Sequence, residues 1–94
     1  MKRDQVLSEA ARIISGSRHD DYGPASDSFK KIGDLWSAYL GDRTITSLDV
    51  SNMMILNKVS RTLTSPEKAD TYTDICGYSA LCCEIMTEKE KSNG

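Results

Sequence analysis

Phe29-Lys30-Lys31-Ile32-Gly33-Asp34-Leu35-Trp36-Ser37-Ala38-Tyr39-Leu40-Gly41 carries apolar residues at i, i+3, i+7, i+10 and i+11, namely Phe29, Ile32, Trp36, Tyr39 and Leu40. That spacing follows the turn of an α-helix rather than the alternation of a strand, and the glycine at 41 marks its stop. The pattern recurs on both sides of this stretch. Upstream, Val6, Leu7, Ala10, Ala11, Ile13 and Ile14 make one stripe closed by Gly16 at a C′ position. Downstream, Thr46 followed three positions later by Asp49 reads as a capping box that opens a third helix with Leu48, Val50, Met53, Met54, Leu56 and Val59 inward. Ser65-Pro66 reads as an N-cap followed by proline at the first helical position, so a fourth helix is expected from there. Its inward face is expected to carry Tyr72, Ile75, Tyr78, Ser79, Cys82, Ile85 and Met86, and the tail about 88–94 is expected to fray. Only Thr44-Ile45-Thr46 has strand character, and it is too short to matter. The expected fold is all-α: a four-helix bundle, or helical hairpins completed by homo-oligomerisation.

The size of the chain agrees with a single helical domain over 1–94. At 94 residues it buries only about 65% of its unfolded surface, so a lone monomer is marginal and self-association is expected. Hydrophobic residues are 38% and charged residues 28% of the chain, which is polar for a globular domain but too apolar for a disordered one. A net charge of −2 argues against a general DNA or RNA binder. No apolar run approaches the ~20 residues that cross a bilayer, and the start lacks a signal-peptide core. Cys76, Cys82 and Cys83 are odd in number and lie in one segment, with Cys76 and Cys83 roughly 10 Å apart by helical rise. They read as buried thiols of a reducing cytosol, not as a disulfide framework or a zinc site.

Three groups of residues carry candidate chemistry. Ser17-Arg18-His19-Asp20-Asp21-Tyr22-Gly23-Pro24 packs a cation, the single histidine, two carboxylates and a tyrosine into one loop. Loops on rigid scaffolds commonly hold binding groups, so Arg18, His19, Asp21 and Tyr22 are candidate ligand contacts, with Tyr22 the candidate base contact. Lys58 and Arg61 sit at i, i+3 on the third helix and can converge on one anion. Asp70 and Asp74 sit at i, i+4 near the start of the fourth. A short connection makes these helices antiparallel neighbours, which brings the two cations towards the two carboxylates. The cluster is either a set of interhelical salt bridges or a polar pocket in which the cations take phosphate and the carboxylates contact ribose hydroxyls or Mg²⁺. Gly77, inside the fourth helix, signals close approach of a neighbouring helix or a ligand.

Asp21-Tyr22-Gly23-Pro24, Phe29, Leu35-Trp36-Ser37-Ala38-Tyr39-Leu40, Ile45-Thr46, Asp49-Val50, Met53-Met54, Lys58-Val59-Ser60-Arg61, Asp70 and Asp74-Ile75-Cys76-Gly77-Tyr78 are similar, in that order over roughly residues 5 to 86, to a family of small phage-encoded helical domains. The resemblance implies a phage accessory protein working in the cytoplasm of a bacterial host. More distantly, the helical layout and late acidic pair resemble the all-α nucleoside triphosphate pyrophosphohydrolases of the MazG type. That family binds Mg²⁺ through an ExxE motif on one helix and an ExxD motif on the next. This chain has no ExxE, and in place of the second pair it offers Asp70-Thr71-Tyr72-Thr73-Asp74. A hydrolase would have to draw its metal ligands from Asp34, Asp49, Asp70 and Asp74.

Phosphoryl chemistry relies on metal ions to neutralise developing charge, so a thinned acidic set favours binding over turnover. The expected function is binding of a nucleotide-derived small molecule without catalysis and with no cofactor. The phage setting suggests sequestration of a cyclic nucleotide or cyclic ADP-ribose immune signal. The alternatives are a Mg²⁺-dependent MazG-like pyrophosphohydrolase and a helical module that inhibits a host enzyme.

Overall fold

The computed structural model describes residues 1–16 and 25–93. The described chain is helical: α1 (Arg3–Ser15), α2 (Ala25–Leu40), α3 (Ser47–Ser60), a 3₁₀ turn (Arg61–Leu63) and α4 (Ala69–Asn93). Helix α4 is central. It packs most extensively on α3, next against α1, and to a smaller extent against α2, while α2 lies against α3.

Local chemistry sets most of the boundaries. At the start of α3 the Thr46 hydroxyl accepts from the Asp49 backbone N–H at 3.1 Å, and the Asp49 carboxylate accepts from the Thr46 N–H at 3.0 Å. The expected capping box is therefore formed in full. Thr46→Ala removes one of its two arms and should cost about 1 kcal/mol; a thermal melt should fall by about 4–8 °C. Gly41 closes α2 with φ +80°, the left-handed conformation that glycine adopts without steric cost, and its N–H donates to the Ser37 carbonyl at 2.9 Å. Gly16 differs from expectation. Its φ is −97°, so α1 ends there without a left-handed cap.

The start of α4 also differs. Ser65-Pro66 does not open the helix. Arg61 continues α3 into the 3₁₀ turn, and its carbonyl accepts the Ser65 N–H at 2.9 Å, which ties Ser65 to the end of α3. The Pro66 carbonyl accepts from the Tyr72 hydroxyl at 2.7 Å, and the helix begins only at Ala69. At the other end α4 runs on to Asn93 through residues 88–93, where the sequence suggests a fraying tail. Glu and Lys there are good helix formers, so a helix already nucleated by tertiary packing propagates through them.

The core is small. Phe29, Val50, Leu81 and Ile85 form its fully enclosed cluster, bordered by Ile14, Ile32, Trp36, Met54 and Tyr78. Several residues expected inside are outside. Tyr39 is 90% exposed and Leu40 about half exposed, although Phe29, on the same helix, is 1% exposed. Ten residues of helix carry Tyr39 about 80° round the axis from Phe29, beyond the sector that α3 and α4 cover. Met53, Leu56 and Val59 on α3 are exposed for the same reason, while Val50 and Ser51 are enclosed. On α4, Tyr72 and Met86 are also exposed, whereas Thr71 and Thr73 are buried. The Ser51 hydroxyl donates to the Tyr78 carbonyl at 3.0 Å, which makes its burial tolerable and ties α3 to α4.

Helix α2 approaches the loop before α3 closely at Gly33, where an added Cβ would lie 2.5 Å from the Ile45 carbonyl oxygen. Ser37, one turn on, fastens the same junction. Its hydroxyl accepts from the Ile45 N–H at 2.7 Å and donates to the Gly33 carbonyl at 2.7 Å.

Candidate functional site

The polar residues of α3 and α4 meet at the end of the hairpin they form. Lys58 Nζ lies 2.9 Å from Asp74 Oδ2, with side chains 13% and 32% exposed. One turn later Arg61 stands at the α3 terminus. Its N–H donates to the carbonyls of Lys58 and Val59, and its own carbonyl receives the Thr64 and Ser65 amides. This wrapping holds the Arg61 backbone beside a cleft of about 330 Å³, whose lining includes the charged residues Arg61, Lys68, Asp70 and Asp74. Thr64, Ser65 and Thr71 belong to the same lining, with the Thr64 hydroxyl donating to the Arg61 carbonyl at 3.5 Å. The Tyr72–Pro66 hydrogen bond secures the connection that carries Lys68 into the cleft.

Asp74 has a second face. Between α1 and α4 lies an apolar pocket of about 120 Å³ whose lining includes Ala10, Ile14, Gly77, Tyr78 and Leu81, and Asp74 borders it as well as the polar cleft. Gly77 opens this pocket, since a Cβ there would stand 3.2 Å from Ile14 Cγ2. The close approach expected at Gly77 is thus to a neighbouring helix. A polar, cation-bearing cleft and a small, mostly apolar pocket share one residue, Asp74.

The site corrects several expectations. Lys58 and Arg61 do not converge on one anion, because Lys58 is committed to Asp74 and only Arg61 lines the cleft. Arg61 has no ion pair among the described residues. Asp34 and Asp49 do not join Asp70 and Asp74 as metal ligands. Asp34 pairs with Lys30 on the open face of α2 at 3.0 Å, and Asp49 serves the α3 cap. Among the described residues no three of His, Cys, Asp and Glu gather as a metal would require. Arg18, His19, Asp21 and Tyr22 lie outside the described residues. Lys68 escaped the sequence reading. Its one signal is a cation in the turn just before a helix, which by itself resembles any solvated loop lysine. The ion pair of Glu9 and Arg12 on exposed α1 stands apart from the cleft. The Arg12 guanidinium, hydrogen-bonded to Glu9, holds that carboxyl below the ordinary carboxylate range, and the guanidinium is raised in turn.

Residues 5–86, which span the cleft and the apolar pocket, match the family model described as a domain of unknown function, DUF6378. The chain belongs to the DUF6378 family. It is 38% identical over 86 residues to the Gene 55 protein of Mycobacterium phage D29, covering 92% of this chain and 56% of that one. Against the Gene 55 protein of Mycobacterium phage L5 it is 40% identical over 86 residues, covering 92% and 55%. The chain therefore spans about half the length of these curated relatives. Their source agrees with the resemblance to phage-encoded helical domains drawn from the sequence. No solved structure matches the chain. Among the described residues no helix is long and apolar enough to cross a membrane.

Proposed function

We propose that this chain binds a nucleotide-type ligand without turning it over, with the phosphate in the α3–α4 cleft and the base in the adjoining α1–α4 pocket. The observation that carries the reading is Arg61. An arginine on the wall of a polar cleft, with no carboxylate partner among the described residues and with Lys68 on the same lining, is suited to a bidentate contact with phosphate. Ser65 and Thr71, on the same lining, offer hydroxyls for the remaining phosphate or ribose oxygens. Lys58 neutralises Asp74, so the carboxylate nearest the seam repels an anion less than a bare one would. The two cavities together fall within the roughly 300–1,000 Å³ range of small-molecule sites.

Binding is favoured over hydrolysis because Asp34 and Asp49 are engaged elsewhere, which leaves Asp70 and Asp74 to hold a metal without them. In an infected bacterial cell, a phage protein of this kind would lower the free concentration of a cyclic nucleotide or cyclic ADP-ribose signal. Such a role needs affinity and no chemistry.

Isothermal titration with a panel of nucleoside triphosphates, cyclic mono- and dinucleotides and cyclic ADP-ribose tests the reading. One member should bind saturably, come back intact after denaturation, and lose at least tenfold in affinity to Arg61→Glu. Asp34→Asn, on the opposite duty of pairing with Lys30, should leave that affinity unchanged. Absence of heat with every member, or recovery of cleaved ligand with pyrophosphate released in Mg²⁺, would end it.

A further inference from the structure

The charges around the α3–α4 cleft do not balance. Its lining holds two cations, Arg61 and Lys68, and two carboxylates, Asp70 and Asp74. Asp74 is already neutralised by Lys58 at 2.9 Å. Asp70 is not: among the described residues neither it nor Arg61 nor Lys68 has an ion pair. Those three together leave a single positive charge in surplus. Glu67, exposed in the same connection, does not line the cleft and can only lower that surplus. A cavity of about 330 Å³ is comparable in width with the ~8 Å Debye length of physiological salt, so charges on its lining act on an anion inside it. Thr71 points to a bound group as well. It stands in the first turn of α4, is 5% exposed, lines the cleft, and its hydroxyl has no hydrogen bond among the described residues. Buried hydroxyls are ordinarily paired, and a phosphate oxygen in the cleft would pair this one.

We infer that the cleft takes a phosphate bearing one negative charge, the phosphodiester of a cyclic nucleotide, and that Asp70 excludes phosphomonoesters and polyphosphates; this rests on the nucleotide-binding reading. A phosphodiester has one ionised oxygen and matches the surplus charge. A terminal phosphomonoester carries about −1.5 to −2 at pH 7. Its second charge would meet the Asp70 carboxylate with no cation left to offset it. Triphosphates, and the pyrophosphate of cyclic ADP-ribose, carry more than one charge and fit worse. Asp70 acts by repulsion, which discriminates against a wrong ligand without adding a contact to the right one. It is a specificity-determining residue that need not touch the ligand. Without it the surplus would rise by one unit, and the preference for a singly charged phosphate would go.

Isothermal titration near pH 7 with matched ligands of each common nucleoside tests this. The set is the 3′,5′-cyclic monophosphate, the 5′-monophosphate, and the methyl ester of that 5′-monophosphate, an open-chain phosphodiester with one charge. For the nucleoside that binds, the cyclic form and the methyl ester should each bind at least tenfold tighter than the monoester. Asp70→Asn removes the repelling charge and keeps the side chain's shape, so it should cut that ratio at least threefold by strengthening the monoester. Asp70→Ala should do the same and serves if Asp70→Asn fails to fold. A monoester or triphosphate that binds as tightly as the diesters overturns the inference and leaves the nucleotide-binding reading standing. So does a methyl ester no better than the monoester, which assigns the preference to ring closure. A ratio unchanged in the Asp70 variants overturns it too, because the preference then lies in shape and not in charge. Silence from the whole matched set also overturns it, and the wider nucleotide panel then decides whether any nucleotide is bound.

Discussion

Gly33→Ala is expected to destabilise the protein by about 1–3 kcal/mol, the cost of forcing an extra carbon into a packed site. The sign is opposite to the usual one. In an open helix interior, alanine is worth about 1 kcal/mol more than glycine. At Gly33 the new methyl would sit 2.5 Å from the backbone oxygen of Ile45, and backbone cannot swing aside as a side chain can. The residue is also buried, so the clash has no exit to solvent. Relief would require moving the loop that Ser37 holds through the Ile45 N–H. Thermal unfolding should show a fall of about 4–8 °C per kcal/mol for a chain of this length. Gly77→Ala supplies the contrast. Its methyl would meet the tip of the Ile14 side chain at 3.2 Å, which can shift by a few tenths of an ångström. The helix-propensity gain then offsets the crowding, and the melt should move little. A Gly33→Ala melt equal to or above wild type would show that α2 and the loop before α3 are not in close contact.

Lys58→Ala is expected to cost about 1–2 kcal/mol. Removing the ammonium leaves the Asp74 carboxylate, two-thirds covered, without the partner now 2.9 Å away. Stranding a fully buried charge costs roughly 3–5 kcal/mol, whereas an exposed ion pair is worth about 0–1. The 32% exposure of Asp74 lets water take over part of the lost interaction, which places this pair between those limits. A double-mutant cycle of Lys58→Ala with Asp74→Ala should return a coupling near 1 kcal/mol or above. High salt should weaken it only modestly, because the pair is partly shielded from ions. Coupling within a few tenths of zero would mark the contact as an ordinary surface pair. The cycle also separates stability from binding. Lys58 acts through Asp74 and does not line the cleft, so its loss should depress the melt of the ligand-free protein, whereas Arg61→Glu should chiefly depress affinity.

How far each feature was legible depends on how local its cause is. The capping box at Thr46 and Asp49 was legible because both partners are three residues apart and need nothing from the rest of the chain. The Lys58–Asp74 contact was within reach because a short connection forces two helices side by side. The start of α4 was misread at Ser65-Pro66, whose residue types suit an N-cap. The Ser65 amide closes a turn on the Arg61 carbonyl and the helix begins only at Ala69, an arrangement that appears only when the turn is built. Lys68 gave no distinguishing signal, since its role comes from the cleft around it and not from its neighbours in sequence.

Helical spacing of apolar residues, the capping residues and the glycine after Leu40 decided by themselves that the described residues are all-α with four principal helices. Each of those signals acts over one or two turns, where backbone hydrogen bonds and side-chain sterics are set by nearby residues. Tertiary structure alone decided which part of each stripe is inside. A stripe specifies a direction on a helix, but whether Tyr39 or Phe29 is covered depends on where the neighbouring helices end and how closely the loop before α3 approaches α2 at Gly33. The same holds for the cleft. Arg61 and Lys68 are joined by no local periodicity, and only the packing of α3 on α4 sets them around one cavity.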